Sequence, residues 1–303
     1  MPGEYQDDVG RFDVYEATVI GRLGRTLAVE LLSTRLDHGT FFIEAIRKTD
    51  AEPELVGEGS AFVISVAPPV ARYLPDYFVV TARHNVEGAH RREATIWLLL
   101  PFEDGEYATI EMPWDAWTHG DHDVSVALLP LDRLPPKLEL LAIPLEALTV
   151  DVPIFSVSTV RIELYGRAKV GATQFPIVRG ATLPTVGKVH VAIEGVQKRV
   201  PVWLAEGTVT VGMSGGPVLA TKGTGETDNL VMGLIHGYAH DELVQAPPPG
   251  YKICTDEVLK LREELLRELA ALRQSLIYIV PGDAILETIE KAIRFEYPKR
   301  FEP

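Results

Sequence analysis

The sequence predicts a mainly β chain, an all-β barrel or sandwich with helices near its C-terminal end. Two observations carry the β part. From about residue 40 to 240, short runs rich in β-branched and aromatic residues follow one another: TFFIEAIR, SAFVISVA, YFVVTA, TIWLLL, DVSVALLPL, VPIFSVSTV, HVAIEGV, TVTVG, GPVLA and LVMGLI. Turn-forming clusters such as LPDY, EDGE, LPPK and KGTGETD separate them at short intervals. Many short strands with regular turn signals are the pattern of a closed or stacked antiparallel fold. The third observation is a change of period near the end. In TDEVLKLREELLRELAALRQSL, apolar residues fall at Val258, Leu261, Leu265, Leu269, Leu272 and Leu276, in steps of 3, 4, 4, 3 and 4. That is an amphipathic helix over 255–276, with Thr255 as its N-cap.

Taken in order, the first forty residues form an N-terminal extension, in which RTLAVELLSTRL fits either a helix or two strands. The β region then divides at the proline-rich stretch Pro130–Pro153 into comparable halves, 41–140 and 141–303. A second helix, AILETIEKAIRF, follows the strand-like IYIV and the turn at Pro281-Gly282.

Bulk composition narrows the function classes. The chain has 303 residues, 46% hydrophobic and 24% charged, with a net charge of −14. An acidic balance argues against nucleic acid or an anionic membrane as partner, because those need clustered Lys and Arg. No run of apolar residues reaches the length of a membrane span, and MPGEYQDDVGRFD lacks the apolar core of a signal peptide. The single cysteine, Cys254, permits no internal disulfide and reads as a small packed residue. These features together predict a cytoplasmic protein.

GMSGGPV, residues 212–218, surrounds one serine with three glycines and a proline. A pattern G-x-S-G-G-P arises in roughly one of three thousand random chains of this length. The plain alternative is a tight turn between strands. The chemical reading is that backbone N–H groups must approach a reacting atom with no side chain in the way. A serine hydroxyl is a weak nucleophile and needs a base within reach. Of the eight histidines, only His84 directly follows a strongly apolar strand, in YFVVTARHNV, which would hold it at a strand end. An orienting acid should lie against the imidazole and lead into core structure. Asp123 does so in GDHDVSVALLPL; Asp121, farther from that strand, is its competitor. His119 and His122, in THGDHD, have a spacing that ligates metal best on a helix, and here they read as a solvated turn.

T-A-x-H, D-V-x-V-A-L-L and G-x-S-G-G-P, in that order, resemble the chymotrypsin-fold (trypsin-like) serine endopeptidases. Gly57-Glu58-Gly59-Ser60-Ala61-Phe62-Val63-Ile64 resembles the opening strand of bacterial HtrA-like members, and IYIVPGDAILETIE their closing strand and helix. The resemblance spans about residues 57–290, with 255–276 as an insertion and no room after it for a PDZ domain. It implies two six-stranded antiparallel β-barrels, the first carrying His84 and Asp123, the second Ser214. It also implies a serine endopeptidase acting through an acyl-enzyme on protein or peptide substrates, without cofactor or metal. His84 would be the base, Asp123 its orienting acid, Ser214 the nucleophile, and the N–H groups of Gly212 and Ser214 the oxyanion hole. Where digestive relatives carry an aspartate before the nucleophile, this chain has Met213, so activation by a newly cut N-terminal amine is not available. Substrate contacts are expected from Thr208, as a neutral pocket floor, and from Ile235, His236 and Gly237. A neutral floor predicts no preference for Lys or Arg and a taste for small or medium apolar residues before the cut. His236, in G-L-I-H, sits one residue beyond the G-x-H of glutamate-reading relatives, which turns it to the other face of the strand unless a bulge intervenes. The competing expectations are a peptide-binding module that works by strand addition and a partner-activated subunit or homo-oligomer joined through the 255–276 helix.

Overall fold

In a computed structural model of the chain, the described residues are 36, 39–49, 52–67, 76–102, 107–135, 138, 141–148, 160–170, 173–183, 188–193, 196, 198–222, 230–238 and 276–300. They form two antiparallel sheets. The first contains β1 (Thr40–Arg47), β2 (Glu54–Val66), β3 (Asp76–Thr81), β4 (Thr95–Pro101), β5 (Tyr107–Met112), β6 (Trp117–His119) and β7 (Ser125–Leu128), in the order β5-β4-β1-β2-β3-β7-β6. The short strand β8 (Ile143–Pro144) pairs with β2 in parallel. The second contains β9 (Val160–Val170), β10 (Thr173–Leu183), β11 (Val189–Ala192), β12 (Arg199–Glu206), β13 (Pro217–Lys222), β14 (Val231–Tyr238) and β15 (Leu276–Pro281). Its order is β10-β9-β13-β14-β15-β12-β11, and Thr182 of β10 also pairs with Glu206 of β12.

That last pairing closes a ring of six strands, with β11 hanging on β12 outside it. The first sheet stays an open path among the described residues, because β5 and β6 at its ends do not pair. The mainly β, two-sheet architecture is as expected, but the strand counts are eight and seven rather than six and six. Two short strands, β6 and β8, enlarge the first sheet, and the β11 hairpin partner enlarges the second.

The strands form where alternation has a core to face. In β4, TIWLLLP, Ile96, Leu98 and Leu100 are buried against Phe41, Ile43 and Ile110 inside the first sheet. Leu164, Ile235, Ile277 and Ile279 fill the second. A third cluster lies between the sheets, where Phe62, Ile64 and Phe78 meet Leu219, Leu234 and Val280. Each fully buried side chain of this size contributes about 1.5–3 kcal/mol through removal from water, so this middle layer fixes the sheets against each other. TVTVG, residues 208–212, is not a strand. Val209 is buried while Val211 is 80% exposed, and the backbone there turns toward Ser214 instead of pairing.

Two α-helices of several turns stand among the described residues. α1 (Arg83–Arg91) starts one residue after β3 and buries Val86 and Ala89. α2 (Gly282–Arg300) contains the expected AILETIEKAIRF segment and buries Ala284, Ile285, Thr288, Ile289 and Ala292, a stripe at helical spacing over the middle cluster. Among the described residues no helix is long and apolar enough to cross a membrane. The N-terminal extension up to residue 35, the helix expected over 255–276 up to residue 275, and Cys254 lie outside the described residues. Leu276 opens β15.

Candidate active site

The polypeptide brings Ser214, His84 and Asp123 together at the seam between the sheets. His84 is the second residue of α1, not the end of a strand: β3 stops at Thr81, and the first helical turn swings the imidazole over the seam. Arg83 anchors that turn. Its guanidinium donates to Glu87 Oε1 at 2.6 Å and to the Gly120 carbonyl at 3.1 Å, and its N–H donates to the Asp123 carbonyl at 3.3 Å.

Asp123 is 1% exposed. Its Oδ1 accepts the backbone N–H of His84 at 2.9 Å, and its Oδ2 lies 2.8 Å from His84 Nδ1 and 2.5 Å from His236 Nδ1. Burial alone pushes this carboxyl up. The His84 and His236 imidazoles and their hydrogen bonds outweigh that and hold it well below the usual carboxylate range. An ionised carboxylate only accepts, so both imidazoles place their N–H on Nδ1. Asp121, the competing acid, is 74% exposed and among the described residues pairs with Lys198, at 3.9 Å.

With its Nδ1 carrying hydrogen, neutral His84 offers a bare Nε2, and Ser214 Oγ lies 2.6 Å from it. The same Oγ lies 2.7 Å from the His236 carbonyl. A hydroxyl has one proton, so these are alternative orientations. Donation to Nε2 makes the attacking arrangement, and donation to the carbonyl serves when His84 already carries a proton. His84 Nδ1, His236 Nδ1 and Asp123 Oδ2 are close enough for a metal ion to be considered. At 2.5 and 2.8 Å, however, these atoms are spent on hydrogen bonds to one another.

The glycines of the GMSGGP loop have separate tasks. Gly212 and Gly215 both have φ +90°. Of the amides from Gly212 to Gly216, Met213 donates to Thr210, Gly215 to Ile235 and Gly216 to Met213, whereas those of Gly212 and Ser214 donate to no atom among the described residues. Buried or half-buried amides are normally paired, so two idle ones beside a serine hydroxyl form a ready anion site. Gly215 packs against the first sheet. A Cβ there would stand 2.3 Å from the Ser60 carbonyl oxygen and 2.4 Å from Thr81 Oγ1. Gly215→Ala is expected to cost about 3 kcal/mol or more, from overlap plus the left-handed backbone. Denaturant unfolding checks this; an unchanged midpoint would show that the loop can back away.

Ser60, Asn85 and Arg167 belong to the site's frame and were not singled out in the sequence. Ser60 is fully buried. Its N–H donates to the Ser214 carbonyl at 2.8 Å, its Oγ donates to the Gly212 carbonyl at 2.6 Å, and that same Oγ accepts the Arg167 N–H at 2.9 Å. Asn85 Nδ2 also donates to the Ser214 carbonyl, at 3.0 Å. Arg167, 5% exposed, reaches back across the seam to the Thr40 carbonyl at 2.6 Å. A lone serine inside GEGSAFVI and an arginine within a buried strand were the available signals. Met213 is fully buried in the core of the second sheet, and its Sδ accepts the Thr210 N–H at 3.4 Å.

A cleft of about 350 Å³ opens beside Ser214, walled by Glu58, His84, Val209, Thr210, Gly237 and Tyr238 among others. Of the expected substrate contacts, Gly237 lines it. Thr208 is exposed outside the lining, Ile235 is fully buried, and His236 is turned onto Asp123. The Tyr238 hydroxyl donates to the Val209 carbonyl, joining the two walls.

His119 is not in the turn that the sequence suggested but on β6, where its Nδ1 meets Ser125 Oγ at 2.7 Å and its Nε2 is buried without a partner among the described residues. Its ring lies 4.6 Å from Trp114, which stacks on His90 of α1 at 4.0 Å. Burial, and then Arg83, push its pKa from 6.5 down to about 4. The unfolded chain therefore binds more protons than the folded one between those values, so stability rises with pH across that window and levels off above it. Urea unfolding should show wild type about 1–2 kcal/mol less stable at the acid end, after solvent screening. His119→Asn should flatten that slope, and an equal slope in both proteins would place the effect elsewhere.

The crystal structure of Deg5 is similar to the chain at 14% sequence identity, covering 71% of this chain and 87% of that one, with a TM-score of 0.44. No protein-family model matches the sequence, and no curated protein matches it.

Proposed function

We propose that the chain is a serine endopeptidase that hydrolyses peptide bonds in protein substrates through an acyl-enzyme. The observation that carries this reading is the line Asp123–His84–Ser214, at 2.8 and 2.6 Å, ending beside two idle amides and an open cleft. His84 Nε2 takes the Ser214 proton as Oγ attacks the carbonyl, and Asp123 stabilises the imidazolium that forms. The tetrahedral oxyanion is received by the N–H groups of Gly212 and Ser214, each such donor being worth about 3 kcal/mol of transition-state stabilisation. His84 then gives its proton to the leaving amine, and water repeats the sequence in reverse to free the acid. An extended substrate lies along the end of β14, beside Gly237 and Tyr238.

The Met213 side chain supports a loop that is shaped without a charged partner. It anchors the segment by apolar burial in the core of the second sheet. Reaction with a fluorophosphonate followed by mass mapping tests the proposal. An adduct on the peptide holding Ser214 is the expected result, and an unmodified Ser214 would end the serine-nucleophile reading.

A further inference from the structure

The His236 side chain has no task in that mechanism, yet it touches both Asp123 and His84, and its carbonyl lies against the Ser214 hydroxyl. The ladder between β14 and β15 shifts register between Ile235 and Gly237, so His236 sits on a bulge without a cross-strand partner. Its Nδ1 is 2.5 Å from Asp123 Oδ2, its ring meets the His84 ring edge-on at 5.1 Å, and its carbonyl accepts the Ser214 hydroxyl. Two imidazoles thus donate to a single carboxylate oxygen, and that carboxylate is buried away from water. One negative charge can support one imidazolium fully. A second would stand beside the first with no counter-charge of its own.

We infer that His236 is a positioning residue of this site: its Nδ1–H holds the Asp123 carboxylate in place, and His84 has that carboxylate's full support only while His236 is neutral. The inference rests on the reading of His84 as the base. The titratable and charged groups around His236 are few among the described residues. Asp123 and His84 come from the first-sheet side, and Tyr278 stacks on the ring from β15 at 6.1 Å. α2, packed on β14, brings Asp283, which is held by Lys188 at 2.6 Å, together with Glu287, Glu290 and Lys291.

The test compares wild type, His236→Asn and His236→Ala. Asparagine keeps a donor where Nδ1 stands but takes up no proton. The rate of Ser214 labelling by a fluorophosphonate is followed from about pH 5 to 8. At the alkaline end the alanine variant is expected to be about tenfold slower than wild type, and the asparagine variant to recover most of that loss. In wild type a proton on either imidazole disables the base, so the acid limb lies at higher pH than in His236→Asn. Superimposable profiles for those two proteins would overturn the inference, as would an alanine variant labelled as fast as wild type at every pH. A wild type that is never labelled overturns the serine-nucleophile reading instead. In that case proton NMR still decides the shared carboxylate: two low-field Nδ1–H signals are expected in wild type and one in His236→Asn, and a single signal in wild type would overturn the sharing.

Discussion

Ser214→Ala is expected to lower peptide hydrolysis on the order of 10⁴-fold or more and to leave the fold as it is. The substitution removes one oxygen, whose contacts are His84 Nε2 and the His236 carbonyl. The loop itself is held by backbone groups. The Ser214 carbonyl accepts from Ser60 and Asn85, and Gly215 and Gly216 bond to Ile235. None of these involves the hydroxyl, so the melting temperature should move little while turnover disappears. Steady-state cleavage of a protein substrate and a thermal melt, run on the same preparation, check both halves. Retained cleavage would remove Ser214 from the chemistry.

Asp123→Asn should cost a similar factor, about 10⁴, for a different reason. The side chain keeps its shape, but one of its two oxygens becomes an NH₂ group. Three donors converge on the carboxylate in wild type: the His84 N–H, the His84 Nδ1–H and the His236 Nδ1–H. An amide cannot accept all three. If NH₂ faces the rings, His84 is pressed into the tautomer with hydrogen on Nε2, and the lone pair needed for the Ser214 proton is gone. The acid side of the stability profile should change too. The folded carboxyl titrates below its unfolded value, so its contribution is complete above about pH 4 and is lost as pH falls through the folded value. The asparagine variant lacks that loss, and its unfolding midpoint should fall less steeply under acid. An asparagine variant with wild-type turnover would show that the acid merely packs.

Much of this arrangement was readable from residue types in context. GMSGGP announced a loop that needs its backbone close to a partner, and the structure shows that partner for Gly215 in the Ser60 carbonyl and Thr81. A strand followed by R-H, and an acid before V-S-V-A, singled out both residues, although His84 sits in the first turn of α1 rather than at a strand end and Asp123 lies two residues before β7. Three things escaped. α1 was invisible because RHNVEGAHR, with a glycine inside and only two buried residues, has too short an apolar stripe. TVTVG mimicked a strand because alternation describes both a pleat and a loop with one residue pinned inward. The direction of His236 was undecidable from period-two reasoning. A bulged residue has no opposite partner to fix its face, and what aims this one is a buried carboxylate more than a hundred positions away.

Ser60 gives the arrangement its most general consequence. One small residue on β2 ties the Ser214 loop and β9 of the other sheet to the half of the molecule that carries His84 and Asp123. Neither half holds all three of His84, Asp123 and Ser214. On the proposed function, turnover would be a gauge of assembly: it would report whether the two sheets are docked in register, and a chain severed between them is expected to hold two inert pieces whose reunion could be followed by the return of activity alone.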